Sequence, residues 1–277
     1  VELLASGYGL VEGPRVDSEN RLYFSDVHGG GVYRRTPEGR LETIVPKRRG
    51  VGGIALHADG GIVCSGRNIC HVRDGETRIL FDPPETPGFN DLFSDARGRV
   101  YAGTMRTSPF GDAAAGSRTP GELWRIDAAG EAVELYADVS LTNGIGFSPD
   151  GTVIYHSDTA RSQVIAHDVA PDGSCRNRRP FAILDRGGPD GLCVDVEGFV
   201  WVAAYGGSCV SRFGPDGRVD RHVDVPAKEV TSLCFGGDDG CDLYVTTAGN
   251  SDDPGLRGCV FRTRAPVAGL PAPLVRV

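Results

Sequence analysis

No apolar run in this chain approaches the ~18 residues of a membrane-spanning helix, so its 277 residues read as a soluble protein with no membrane partner. Positive charge is also scarce. Lys and Arg number 29 against 37 Asp and Glu, a net charge of −8, whereas a nucleic-acid partner would want a basic face. The short basic runs KRR (47–49) and RNRR (176–179) read as solvated turns. No CxxC pair occurs among the eight cysteines at 64, 70, 175, 193, 209, 234, 241 and 259. A disulfide framework or a zinc knuckle is therefore not expected, and buried free thiols are. The chain has no phosphate-cradling GxxxxGK(S/T) and no GxSxG elbow, which disfavours nucleotide hydrolysis and serine-hydrolase chemistry. Its first residues, VELLASGYGL, lack a basic region followed by a long apolar core. No signal peptide is read there, and a cytoplasmic location is expected.

Glycine is plentiful. Its 40 residues are about twice the usual ~7%, and they fall in turn-like settings such as DGG, RGR, PDGT and PDGR. Between them one shape recurs: a polar residue, a short apolar run, an Asp/Gly turn and a second apolar run. It appears as EGPRVDSENRLYFSD (12–26), NDLFSDARGRVYAGT (90–104), SLTNGIGFSPDG (140–151) and DGLCVDVEGFVWVAA (190–204). Weaker copies are GGIALHADGGIVCSG (52–66) and TSLCFGGDDGCDLYVTT (231–247). Aligned on Leu22, Ile62, Val100, Val153, Val200 and Leu243, the copies recur at intervals of 40, 38, 53, 47 and 43 residues. Most are followed by two further alternating runs around a turn, as in GVYRRTPEGRLETIV (31–45). Four short strands every 40 or so residues are propeller blades. The expected fold is all-β: one six-bladed β-propeller domain, 1–277, of four-stranded antiparallel blades. The chain ends in GCVFRTRAPVAGLPAPLVRV, two strand-like runs without a following pair, and begins with the lone strand VELLASG. Adding the first strand to the last blade would close the ring. The longest interval holds an insertion at 105–121, expected to be a lid or pocket wall.

In a propeller the starts of the innermost strands lie on a common rim. The equivalent positions are Glu12, Gly53, Asn90, Asn143, Asp190 and Ser232. Carboxylate and amide oxygens aimed at one spot repel or stay unsatisfied unless a cation sits among them. An all-oxygen set suits Ca²⁺, Mg²⁺ or Mn²⁺. Such an ion, held with an open position, can polarise a carbonyl or phosphoryl oxygen. Asp190 is the better candidate for a second role as base, with Glu12 as the alternative. Asp91 is expected to point to the opposite face of its strand and to be structural.

These residues resemble the senescence-marker-protein/gluconolactonase/luciferin-regenerating-enzyme (regucalcin-like) family. The likeness rests on EGP (12–14), FND (89–91), GTM (103–105), TNGIGFSPDG (142–151), PDGLCVD (189–195) and LYVTTA (243–248), in order and with fitting spacing. It implies a six-bladed propeller and a Ca²⁺- or Zn²⁺-dependent lactonase or related phosphotriesterase. Glu12, Asn143 and Asp190 then match the metal ligands, Asp190 the base, and Asn90 a residue at the metal site or the substrate. One divalent ion is expected, Ca²⁺ first, with Zn²⁺, Mn²⁺ or Mg²⁺ as alternatives.

The chain departs from that pattern at Gly88, where many sugar lactonases of the family carry an Arg two residues before the Asn. Arg106 is a candidate to replace that guanidinium, and Phe89 and Phe110 to make the pocket more apolar. His28, in SDVHGGG, sits at a blade turn able to face the pocket, where a loop histidine is the favoured reading. Tyr205 would line the channel mouth, and His57 and His156 read as structural. The leading expectation is a metal-dependent hydrolase acting on a small lactone or ester-like molecule. The alternatives are a phosphotriesterase-type hydrolase and a non-catalytic small-molecule-binding propeller.

Overall fold

The computed structural model describes residues 1–108, 118–250 and 253–277. It contains six four-stranded antiparallel sheets. Blades 1 to 5 follow the chain in order, with innermost strands Val11–Val16, Ile54–Leu56, Phe89–Ser94, Thr142–Phe147 and Gly188–Val194. Blade 6 is built from Val230–Gly236, Asp242–Thr247, Val260–Arg264 and, outermost, Glu2–Ala5. The first strand thus closes the ring as expected, with Leu3 opposite Phe261. Each aligned apolar position of the repeat lies in the second strand of its blade.

Those second strands are sandwiched between the inner and third strands of their own blade and between neighbouring blades. Leu22–Asp26 and Val100–Thr104 are buried at every residue, which is why the sequence there runs apolar without strict alternation. The Asp/Gly turn before them has a physical job. Asp17, Asp95 and Asp195 each accept two backbone N–H bonds from the turn they open, for example Arg97 N and Arg99 N on Asp95 Oδ1 at 3.0 Å. The second oxygen holds the aromatic residue of the next strand: Tyr23, Tyr101 or Trp201. Gly98 and Gly198 complete two of these turns in the left-handed region, with φ near +79° and +84°.

The blades meet along their inner strands, and Val230–Gly236 of blade 6 packs against Val11–Val16 of blade 1. Close approach there needs glycine. A Cβ on Gly144 would run into the backbone of Asp190 and Leu192 on blade 5, and one on Gly191 into Ser232 on blade 6. The glycines after the polar heads therefore serve the seams between blades.

At the end of the chain only the first strand-like run forms a strand, Val260–Arg264. The second crosses the face where the inner strands end. Leu270 N donates to Val194 O on blade 5 (2.9 Å), Ser94 Oγ on blade 3 donates to Pro273 O, and Val275 bridges His57 on blade 2. Prolines 271 and 273 have no N–H to offer a ladder, so this segment becomes a strap. No helix is long and apolar enough to cross a membrane among the described residues.

Candidate active site

Five of the six inner strands carry a register shift at their head: between Glu12 and Arg15, Phe89 and Leu92, Thr142 and Ile145, Pro189 and Leu192, and Val230 and Ser232. A bulge breaks strict alternation and re-aims side chains. It brings Glu12, Asn90, Asn143 and Asp190 together around the ring axis at the upper face, where the inner strands begin.

The amides are held in a chain. Asn90 Nδ2 donates to Asn143 Oδ1 (2.6 Å) and to Thr142 O (2.8 Å). Asn143 Nδ2 donates to Thr159 Oγ1 (2.8 Å), and that hydroxyl donates to Pro189 O (2.6 Å). Both amide orientations are thereby set before any ligand arrives. The carboxylates have little comparable support. Among the described residues, Glu12 Oε2 accepts a 3.3 Å bond from Gly13 N, and the buried Asp190 Oδ1 has no hydrogen-bond partner.

Electrostatics follow from this burial. The Glu12 carboxyl is pushed well above the ordinary range, first by desolvation, then by the charges of Asp190 and Asp91. Asp190 is pushed the same way by desolvation and then by Asp91. Asp91 rises to about 6 through burial, against the pull of Arg15 and the Leu92 N–H. Three carboxylates facing one guanidinium leave two negative charges without an opposite when all are ionised.

Asp91 corrects an expectation. It does not turn away from the axis, because the bulge cancels the alternation that would have sent it there. Its charge bears on both Glu12 and Asp190. The signal was present: Asp91 stands where the other polar heads are followed by Gly13, Gly144 and Gly191. Arg15, one layer below the acids and only 5% exposed, had no signal beyond its place three residues after Glu12. Gly53 brings no side chain to the rim. On blade 6, Thr231 is engaged with Val11 O and Thr246, and Ser232 packs against Gly191.

The flanking candidates divide. Tyr205 stands at the mouth, 38% exposed, and its hydroxyl is pushed up to about 12 by burial and by the carboxylates of Glu229, Asp190 and Glu12. His28 is exposed at the turn after Leu22–Asp26 on the same face, its backbone N–H on Asp26 Oδ1. Phe89, expected to give the pocket an apolar wall, instead has no exposed surface. It pairs with Thr104, bridges Gly66 and packs against Phe81, ring centroids 5.7 Å apart. Phe110 and the middle of the 105–121 insertion lie outside the described residues.

Arg106 is also placed differently from the expectation that it replaces a missing guanidinium. Its Nε reaches both oxygens of Glu122 (3.0 and 3.1 Å), and Nη1 donates to Glu85 O (2.9 Å). Glu122 also takes the Thr104 hydroxyl. Arg106 is thus a clamp that ties the start of the insertion to blade 3. Gly88 explains why its position carries no side chain: a Cβ there would sit 2.9 Å from Gly66 O. His156 is fully buried between Thr142 Oγ1 (2.7 Å) and Tyr136 OH (3.0 Å), and burial holds it neutral, down to about 3. His57 bonds Val277 O on the strap.

Among the described residues, no three His, Cys, Asp and Glu side chains converge into a ready-made metal cage. The donor set for a cation would be two carboxylates, Glu12 and Asp190, with the preset amide of Asn143. Hard oxygen donors of this kind, one with an orphaned buried oxygen, fit Ca²⁺, Mg²⁺ or Mn²⁺.

Fold and site together define a six-bladed propeller with an acidic, amide-braced axial cluster at one face. Residues 10–249 match the SMP-30/Gluconolactonase/LRE-like family, and the chain belongs to it. It is 33% identical over 273 residues to a 6-deoxy-6-sulfogluconolactonase of Pseudomonas putida, covering 92% of this chain and 91% of that protein. It is 34% identical over 242 residues to the pentonolactonase XacC of Haloferax volcanii, covering 85% and 80%. Among solved structures, a luciferin-regenerating enzyme superposes with a TM-score of 0.89 at 25% identity, covering 100% of this chain and 99% of that one.

Proposed function

We propose that the axial cluster is the active site of a divalent-metal-dependent lactone hydrolase. The observation that carries this reading is Asp190: a buried carboxylate with an oxygen unpartnered among the described residues, close enough to the buried Glu12 carboxylate for the two charges to interact. Family membership supports it, since two of the relatives are lactonases by name. By the same names, a sugar-type lactone is the substrate class.

Glu12, Asn143 and Asp190 would hold the ion. A bound dication supplies Lewis acidity toward the lactone carbonyl, acidifies water and keeps the carboxylates that hold it ionised. Asp190 accepts a proton as water adds to the carbonyl carbon. The new carbon–oxygen bond replaces the ring acyl–oxygen bond, and the ring oxygen leaves as a hydroxyl once it regains that proton. Asn90, its amide fixed by Asn143 and Thr142, orients the substrate at the rim. Tyr205 flanks the mouth and offers a ring face to the apolar side of the substrate.

The test is hydrolysis of a panel of lactones and one phosphotriester by metal-stripped protein, with Ca²⁺, Mg²⁺, Mn²⁺ and Zn²⁺ restored singly. Turnover of a lactone that appears only with a restored ion is expected. Metal-independent turnover, or turnover of the phosphotriester alone, would overturn the reading.

A further inference from the structure

The acids occupy the upper end of the ring axis, yet a cavity of about 1250 Å³ opens at the other end, where the inner strands finish. It exceeds the roughly 300–1,000 Å³ usual for a small-molecule pocket. Its walls include Phe93, Phe147, Leu233, Phe235 and Leu270, and the strap at 269–274 crosses its mouth. Deep in it lies Arg15, 5% exposed. The guanidinium donates to two carbonyls, Pro14 O (2.7 Å) and Leu92 O (3.2 Å), and sits 5.2 Å from the Phe93 ring centroid. It has no ion pair among the described residues, and its Nε has no acceptor. On the axial side its charge offsets part of that of Asp91 and Glu12, and on the other side the guanidinium borders the chamber.

We propose that this lower chamber is a second ligand site, taking a small organic anion with an apolar body whose carboxylate or sulfonate seats on Arg15. The positive charge that an anion would meet comes from Arg15 and from the exposed Arg97, which also lines the chamber. Of the lining carboxylates, Asp17 holds Arg21 and Tyr23, Asp95 holds Arg99 and Tyr101, Asp150 takes the Ser148 and Thr152 hydroxyls, and Asp238 takes the Asn20 amide. The apolar part of a mixed lining, Phe93, Phe147, Phe235 and Leu270, suits an apolar body, and the strap residues that share the lining favour a small one. Arg15 and Phe93 separate this chamber from the acids above, so its occupant does not compete with a substrate at the upper face. The proposal goes beyond the hydrolase reading and stands without it.

The experiment is a fluorescence titration of the full chain with 8-anilinonaphthalene-1-sulfonate and with its uncharged analogue N-phenyl-1-naphthylamine. One saturable site is expected, with the sulfonate bound at least about tenfold more tightly, a difference of 1.4 kcal/mol. Arg15→Gln should erase that preference. Leu274→Asp, on the strap where the side chain is 44% exposed, should weaken the sulfonate severalfold without unfolding the protein. Added Ca²⁺ and lactone should not displace the probe. Absence of binding, equal binding of the two probes, an unaffected Leu274→Asp, or displacement by lactone would each overturn the site. If Arg15→Gln does not fold, the two-probe contrast and Leu274→Asp still decide.

Discussion

Asn90 and Asn143 head the inner strands of neighbouring blades, 53 residues apart in the chain, and their amides meet at 2.6 Å. Because Asn90 Nδ2 is the donor and Asn143 Nδ2 is spent on Thr159, the Asn143 oxygen is turned toward the axis. Breaking either link leaves that oxygen free to rotate away. Thr159→Val should therefore weaken metal affinity by about 10-fold, in line with the loss of a group that orients a ligand. Calorimetric titration of Ca²⁺ into the variant checks this, and unchanged affinity would mean that Asn143 is not a ligand.

Asp190→Asn keeps the shape and removes the charge. Turnover should fall by roughly 10²–10⁴, while the metal-free variant melts at or above the temperature of the parent, because a poorly compensated buried carboxylate is gone. Kinetics with thermal melts in chelator check both halves. Retained activity would take the base role away from Asp190.

The pH dependence of metal-free stability has a definite sign. Asp91 rises from 3.8 to about 6, and Glu12 and Asp190 rise further above the carboxylate range. Between the unfolded and folded values the native state binds more protons, so stability falls as pH rises. The contribution is full below about pH 4 and, for Asp91, is lost as pH rises through about 6. For Asp91 its size is on the order of 3 kcal/mol. Melting curves in chelator from pH 5 to 8 should show a steeper decline for the parent than for Asp91→Asn, and added Ca²⁺ should flatten the parent curve.

Gly88→Arg tests the seam between blades 2 and 3. Its Cβ would press on Gly66 O at 2.9 Å, so the backbones must part, at a cost of about 1–3 kcal/mol typical of overpacking. Denaturant unfolding measures the loss. A fully stable variant would show that this approach is easily relaxed.

Arg106→Ala separates a clamp from a substrate contact. With Arg106 engaged by Glu122 and Glu85, its removal should loosen the start of the insertion. KM should then rise by a similar factor, less than about tenfold, for lactones of different hydroxylation. A loss confined to polyhydroxylated lactones would place the guanidinium on the substrate.

The period of the repeat was enough, without coordinates, for the blade count, the four-strand blades and the ring closed by the first strand. Each blade is a local unit, and its turns announce themselves through residues such as Asp95 and Gly98. The same period put Glu12, Asn90, Asn143 and Asp190 on one rim, because equivalent positions of a ring repeat share a radius. What escaped the sequence depends on contacts between distant segments. Whether Asp91 faces the axis turned on a bulge that strand periodicity does not encode. Phe89 and Gly88 were decided by the backbone of Gly66 on the neighbouring blade, and Arg106 by Glu122 across a strand pair. Arg15 and the lower chamber arose only when six strand ends and a strap converged on one axis. A sequence states the pattern of each blade, but which side chain meets which across a seam is set by the packing of all six.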